Sequence, residues 1–416
     1  MKLESNLINT EKRTIISENE DTGKRNKTRC FLSSRVKQIK PSGIRRFFDM
    51  ASRVEGVISL GVGEPDFVTP WSIRDAAIGF LQKGNTSYTE AAGLLELRKE
   101  ISCYMKSHFQ VEYSPDSEII VTVGGSQALD ISLRTILNSG DEVIIIEPSY
   151  LAYAPLVTLA GGLPVSLETT RGTNFKLQPE HLKQAINTNT KALILCSPNN
   201  PTGSYLNQDE LEEISKIIIE HDLLVISDEI YAELTYDEPF CSIASISQMR
   251  ERTIIISGFS KGFAMTGWRL GFICSPDHFC QTMLKVHHNT MICAPSITQY
   301  AAIEALKNGQ QYVEEMKTSY RKRRAYVVDS LNEMGLECHL PGGAFYVFPS
   351  IRNTGLTSEQ FAENLLIQEK VAVVPGNVFG EGGEGHIRCS YASSMEALRE
   401  AMKRMKQFVG NLQSVK

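Results

Sequence analysis

Between about residues 118 and 275, short β-branched apolar runs alternate with stretches that are helical in pattern or long enough to hold a helix. The runs are EIIVTVG, EVIIIEPS, LPVSLE, KALILCSPN, LLVISDE, TIIISGFS and RLGFICS. Their length and their Ile and Val content predict strands. Residues 126–138 place Leu129, Leu133, Ile136 and Leu137 on one stripe, and Gly140 then stops the pattern. Residues 207–221 open with a capping Asn207 and an acidic first turn, then bury Leu211, Ile214, Ile217 and Ile218. Strands alternating with helices predict βα units, and so an α/β fold with a mostly parallel sheet covered on both faces. Such sheets bind ligands beyond the C-terminal ends of their strands.

Composition narrows the classes. The chain has 416 residues, 43 Lys+Arg against 48 Asp+Glu, and a net charge of -5, which excludes a globally basic nucleic-acid binder. No stretch approaches the roughly 20 apolar residues of a membrane helix. The nine cysteines are scattered without a C-x-x-C pair, and no signal-peptide pattern is present, so a reduced, cytoplasmic protein is expected. His287 and His288 are adjacent rather than four apart, and no metal site is expected. Residues 1–30 are polar and mixed in charge, and read as a disordered extension too short for a DNA-binding domain.

The strand ends carry unusual chemistry. After EIIVTV comes Gly124-Gly125-Ser126-Gln127, opening a helix; glycines and a helix N-terminus suit a phosphate, or only a tight turn. After EVIIIEP stands Tyr150, a candidate for stacking on a planar ligand. After KALILC, SPNNPTG projects the amide of Asn200 over the same rim. After LLVIS comes Asp228, followed by Tyr231. A carboxylate there is costly to bury unpaired and expects a cationic partner, a protonated ring nitrogen among the candidates. After TIIIS come Gly258, Ser260 and Lys261, with Arg269 eight residues further on. A lysine in a desolvated, cation-rich pocket loses its proton readily and can form a Schiff base with an aldehyde. An anion cup, a stacking ring, a neutral donor, a carboxylate, a phenol, an amine and an arginine together suit a phosphorylated pyridine aldehyde, pyridoxal 5′-phosphate.

GVGEPDF, SPNNPTG, SDEIYAELTY, GFSKGFAMTGWRLG and IRCSYA, in this order, resemble the class I/II aminotransferases of the fold-type I pyridoxal-phosphate enzymes. The similarity spans roughly residues 33–410, and the block around Lys261 is its most specific part. The resemblance implies a homodimer with shared active sites. It also implies a large cofactor domain (78–315) and a smaller α+β domain built from both chain ends (31–77 and 316–416). The implied activity moves an amino group between an L-amino acid and a 2-oxo acid by a ping-pong mechanism through a Lys261 Schiff base. Residue by residue, Lys261 matches the Schiff-base lysine and proton shuttle, and Asp228 the partner of the pyridine nitrogen. Asn200 and Tyr231 match donors to the ring hydroxyl, and Tyr150 the stacking ring. Gly125, Ser126, Ser260 and Arg269 match phosphate contacts, and Tyr88 a residue reaching the neighbouring subunit's phosphate. Arg388 and Gly63 match contacts to the substrate α-carboxylate. A bidentate guanidinium suits that task better than an ammonium.

Two positions depart from the family pattern. Gly258 stands where many relatives carry a hydroxyl, so Ser257, one position earlier, is the candidate substitute. Tyr150 replaces the Trp or Phe of some relatives.

Other signals point elsewhere or nowhere. Residues 380–385 satisfy G-x-G-x-x-G, but a strand-like HIRCSYA follows, so a nicotinamide site is disfavoured and a flexible loop is expected. The basic run 321–324 continues as an amphipathic helix and reads as a solvated face. Arg134 reads as a surface arginine, with a second substrate carboxylate as the alternative. The rival reactions are a β-eliminating C–S lyase on the same cofactor and a cofactor-binding regulator. Residues 39–48 are expected to line the substrate side-chain pocket.

Overall fold

The computed structural model describes residues 31–41 and 43–414; the extension expected over 1–30 lies outside the described residues. The seven predicted runs form one seven-stranded sheet. Its strands are β1 (Ile119–Thr122), β2 (Glu142–Glu147), β3 (Leu163–Glu168), β4 (Thr190–Cys196), β5 (Leu224–Asp228), β6 (Thr253–Gly258) and β7 (Gly271–Cys274). Their order is β1-β7-β6-β5-β4-β2-β3. All neighbours run parallel except β7, which is antiparallel to both β1 and β6. The antiparallel strand matters for function: its start, just after Arg269, lies at the edge where the other strands end.

Alternate residues face opposite sides, as a pleated strand requires. Ile120, Ala192, Ile194, Ile226, Ile254 and Ile256 pack with Leu129, Leu133, Val157 and Met283 from the helices Gly124–Ile136, Tyr153–Ala160 and Asp277–Met291. On the other face Leu193, Leu195 and Val225 pack on Leu211, Ile214 and Ile218 of the helix Gln208–Glu220. Val121, Ile255 and Phe272 meet Ile73, Leu97, Ile101 and Ala301 there. Each fully buried Leu or Ile contributes about 1.5–3 kcal/mol. Asn207 caps the helix Gln208–Glu220 as expected: its side chain accepts from the Glu210 N–H, and Glu210 reaches back to the Asn207 N–H. The helix Gly124–Ile136 starts two residues before its predicted stripe, because Gln127 Oε1 accepts the Val123 N–H at 2.6 Å and holds the first turn.

A second core joins the two chain ends. Ile58–Ser59 pairs in parallel with Val371–Ala372. Tyr346–Val347, Ile387–Ser390 and Val374–Pro375 form a small antiparallel sheet. Leu60, Phe345, Val347, Phe361, Ile387, Leu398 and Phe408 share one buried cluster. The G-x-G-x-x-G segment holds a single 3₁₀ turn, Glu381–Gly383, and leads into the strand Ile387–Ser390.

The basic run fits its reading as a solvated face at Arg321 and Lys322, which are exposed, but not at the next two positions. It lies on the helix Gln310–Glu333, but Arg323 and Arg324 are buried. Arg323 bonds Asp66 at 2.7 Å, and Arg324 clamps both oxygens of Asp237 at 2.6 and 2.8 Å. Their positions on the helix put them against carboxylates far away in sequence, so charge alone misplaced them.

Candidate active site

The strand ends converge on one cavity of about 440 Å³. Gly63, Gly125, Ser126, Tyr150, Asn200, Asp228, Tyr231, Ser260, Lys261, Arg269 and Arg388 all line it. Register explains the convergence: Cys196, Asp228 and Ile256 lie side by side on β4, β5 and β6. Thr122 and Gly258 both oppose Gly271, which sets the Gly124 turn beside Arg269.

At the helix end, Gly124 has φ +75°, and a Cβ there would lie 2.7 Å from Arg269 Nη2. The guanidinium therefore lies directly over the glycine turn, at the positive end of a helix. Ser260 also lines the cavity.

Asp228 is buried and accepts the Tyr153 hydroxyl at 2.7 Å and the Ile230 N–H at 3.2 Å. Burial raises its pKa, and these bonds hold it down. The adjacent Glu229 does not line the cavity. It accepts from Ser227 and Ser242 at 2.9 and 2.7 Å, and burial pushes it up to about 7.

Lys261 Nζ donates to the Gly63 carbonyl at 2.5 Å. Burial pulls the amine down to about 8 from its ordinary 10.5. Arg388 and Arg269 push in the same direction, while Glu64 and Asp228 oppose them. Acylation of Lys261 in the cofactor-free protein is therefore expected to rise through a midpoint near pH 8. Site-resolved mass spectrometry across a pH series would read this, and a midpoint near 10.5 would contradict it.

Arg388 is buried, donating to Asn200 Oδ1 at 2.9 Å and to the Gly61 carbonyl at 2.7 Å. Its guanidinium lies between the rings of Tyr346 and Phe379, 4.5 and 4.9 Å from their centroids. Its Nε is buried with no partner. The Tyr231 and Tyr346 hydroxyls are 3.0 Å apart. The pocket combines a depressed amine, a buried carboxylate, two arginines and several neutral donors. That set can bind a doubly anionic ligand and transfer a proton.

Three candidates lie outside the cavity lining. Ser257 is turned away, with its Oγ 3.5 Å from the Glu229 carbonyl. Tyr88 is 79 % exposed. Arg134 pairs with Asp130 at 2.8 Å. Gly258 has a packing cause, since a Cβ there would lie 2.8 Å from Gly271 Cα and 2.9 Å from the Leu270 carbonyl. Gly258→Ser is thus expected to cost about 1–3 kcal/mol rather than restore a hydroxyl. Calorimetry showing undiminished stability would refute the close approach. Tyr153 and Tyr346 are lining residues that the sequence reading missed, and among the described residues of 39–48 Ile44 reaches the cavity.

Residues 55–405 match the family described as aminotransferase class I and II. The protein YugH of Bacillus subtilis (strain 168) is 60 % identical over 379 residues, covering 91 % of this chain and 98 % of that one. An aspartate aminotransferase of Pyrococcus abyssi is 48 % identical over 379 residues, covering 90 % and 97 %. The crystal structure of an aromatic aminotransferase from Pyrococcus horikoshii OT3 superposes with a TM-score of 0.84 at 47 % identity, covering 88 % of this chain and 99 % of that one. The chain belongs to the class I and II aminotransferases, enzymes that depend on pyridoxal phosphate.

Proposed function

We propose that the cavity holds pyridoxal phosphate with its phosphate at Arg269 and its aldehyde at Lys261, and transfers amino groups from L-amino acids to 2-oxo acids. The donor set fits the group. A guanidinium sits over a side-chain-free helix start, and a buried carboxylate with no cation bonded to it and a buried amine with a lowered pKa face one space. When bound, the cofactor supplies an aldehyde that takes up amines and a protonated ring that withdraws electrons.

The chain's residues then divide the work. Gly125, Ser126, Ser260 and Arg269 hold the phosphate, and Tyr88 reaches that of a second copy in a homodimer. Tyr150 stacks on the ring. Asp228, oriented by Tyr153, keeps a proton on the ring nitrogen. Asn200 gives its oxygen to Arg388, so its NH₂ is left to donate to the ring hydroxyl beside Tyr231. Arg388 and the Gly63 N–H take the substrate carboxylate. Lys261 would hold the cofactor's aldehyde and, once an incoming amino group has displaced it, would be the free amine that takes up the substrate Cα proton.

Residues 78–315 form the cofactor domain in this reading, and 31–77 with 316–416 the small domain. Eight free cysteines among the described residues support a reducing, cytoplasmic setting. Among the described residues, no helix is long and apolar enough to cross a membrane.

The buried, depressed amine of Lys261 facing Asp228 carries this reading. The test is a panel of amino donors against 2-oxoglutarate, with glutamate formation measured. Turnover of at least one donor is expected, and no turnover by any of them would reject the function.

A further inference from the structure

We propose that Tyr346 is a positioning residue: its ring seats the Arg388 guanidinium for a carboxylate, and its hydroxyl turns the Tyr231 proton into the cavity. The inference rests on the aminotransferase reading of the same site.

The small sheet sets the first contact. Tyr346 opposes Ser390 across an antiparallel pair, so Arg388, two residues away, lies diagonal to it on the same face. The guanidinium rests 4.5 Å from the ring centroid, and the ring of Phe379 covers its other side. A desolvated cation over an aromatic face is attracted by the ring quadrupole. The two bonds from Arg388 to Asn200 and Gly61 fix one direction, and the rings fix its plane.

The second contact follows from counting protons. Two phenols 3.0 Å apart carry two protons, and only one can lie between the oxygens. Either hydroxyl can be the donor. Arg388 favours negative charge on both phenols but lies over the Tyr346 ring, 4.5 Å from its centroid, and in this proposal that makes Tyr346 the better donor. The Tyr231 oxygen then accepts, and its own proton is free for the cavity that it lines. Gly63 closes the other side of the Tyr346 hydroxyl, where a Cβ would lie 2.9 Å from the oxygen. A Tyr346 that merely fills the small-domain core has no use for its oxygen.

Two variants of the cofactor-loaded protein separate the jobs. Tyr346→Phe keeps the ring and volume and removes the hydroxyl; Tyr346→Leu removes both. The first readout is the pH midpoint of the visible cofactor band without substrate. Tyr346→Phe should raise it by roughly 0.1–0.6 unit, the effect of losing the ~10–30 % by which one hydrogen bond polarises the next to the ring hydroxyl. The second readout is the dissociation constant of 2-methylaspartate, which has no Cα proton to lose. Tyr346→Phe should leave it within about twofold, and Tyr346→Leu should weaken it roughly 5- to 30-fold. An unshifted midpoint in Tyr346→Phe overturns the role of the hydroxyl. Unchanged 2-methylaspartate binding in Tyr346→Leu overturns the role of the ring. Wild-type protein without a visible cofactor band overturns the underlying reading as well, so the two failures are distinguishable.

Discussion

Lys261→Ala is expected to lose all covalently held cofactor and about 10⁴-fold in amino-transfer rate, the upper range for a positioned proton-transfer group. Lys261 is the only lysine among the described residues that line the cavity. Its amine stands at the end of β6, bonded to the Gly63 carbonyl, and burial has already brought it down to about 8. Near neutral pH a useful fraction is therefore unprotonated, which both attachment to an aldehyde and acceptance of a Cα proton require. Alanine removes both functions but leaves Arg269, Ser260 and Asp228 in place, so the cofactor should still bind noncovalently. Borohydride reduction followed by peptide mapping measures the attachment. Undiminished labelling in the variant would remove Lys261 from its role.

Arg388→Leu should lower kcat/KM for every amino donor by roughly 30- to 4,000-fold, the 2–5 kcal/mol of a truncated buried charge pair. The visible cofactor band should survive, because Arg388 is assigned to the substrate carboxylate and not to the cofactor. Arg388→Lys should recover only part of the loss, since an ammonium lacks the planar fork held between Tyr346 and Phe379. Steady-state kinetics with matched cofactor content checks both variants. A kcat/KM within threefold of wild type for Arg388→Leu would place the carboxylate elsewhere.

Much of this site was legible because parallel sheets put chemistry at fixed offsets from apolar runs. Asp228, Lys261 and Asn200 each follow a run too hydrophobic to be anything but a buried strand, and all three line the cavity. Tyr153 and Tyr346 were not legible. An aromatic residue in a short helix or in AFYVF reads as core, and only the fold brings their hydroxyls to Asp228 and Tyr231. Arg323 and Arg324 failed for a related reason: their carboxylate partners Asp66 and Asp237 come from other parts of the chain. Gly258 was visible as a departure, but its cause, the close approach of Gly271, exists only once β6 and β7 pair.

The most direct test uses the cofactor-loaded wild-type protein and single L-amino acids, with the absorbance spectrum recorded before and after mixing. At least one amino acid should convert the visible band to a shorter-wavelength band, and a 2-oxo acid added afterwards should restore it without ammonia release. A visible band that none of the twenty amino acids alters would contradict the assignment of this cavity to amino-group transfer.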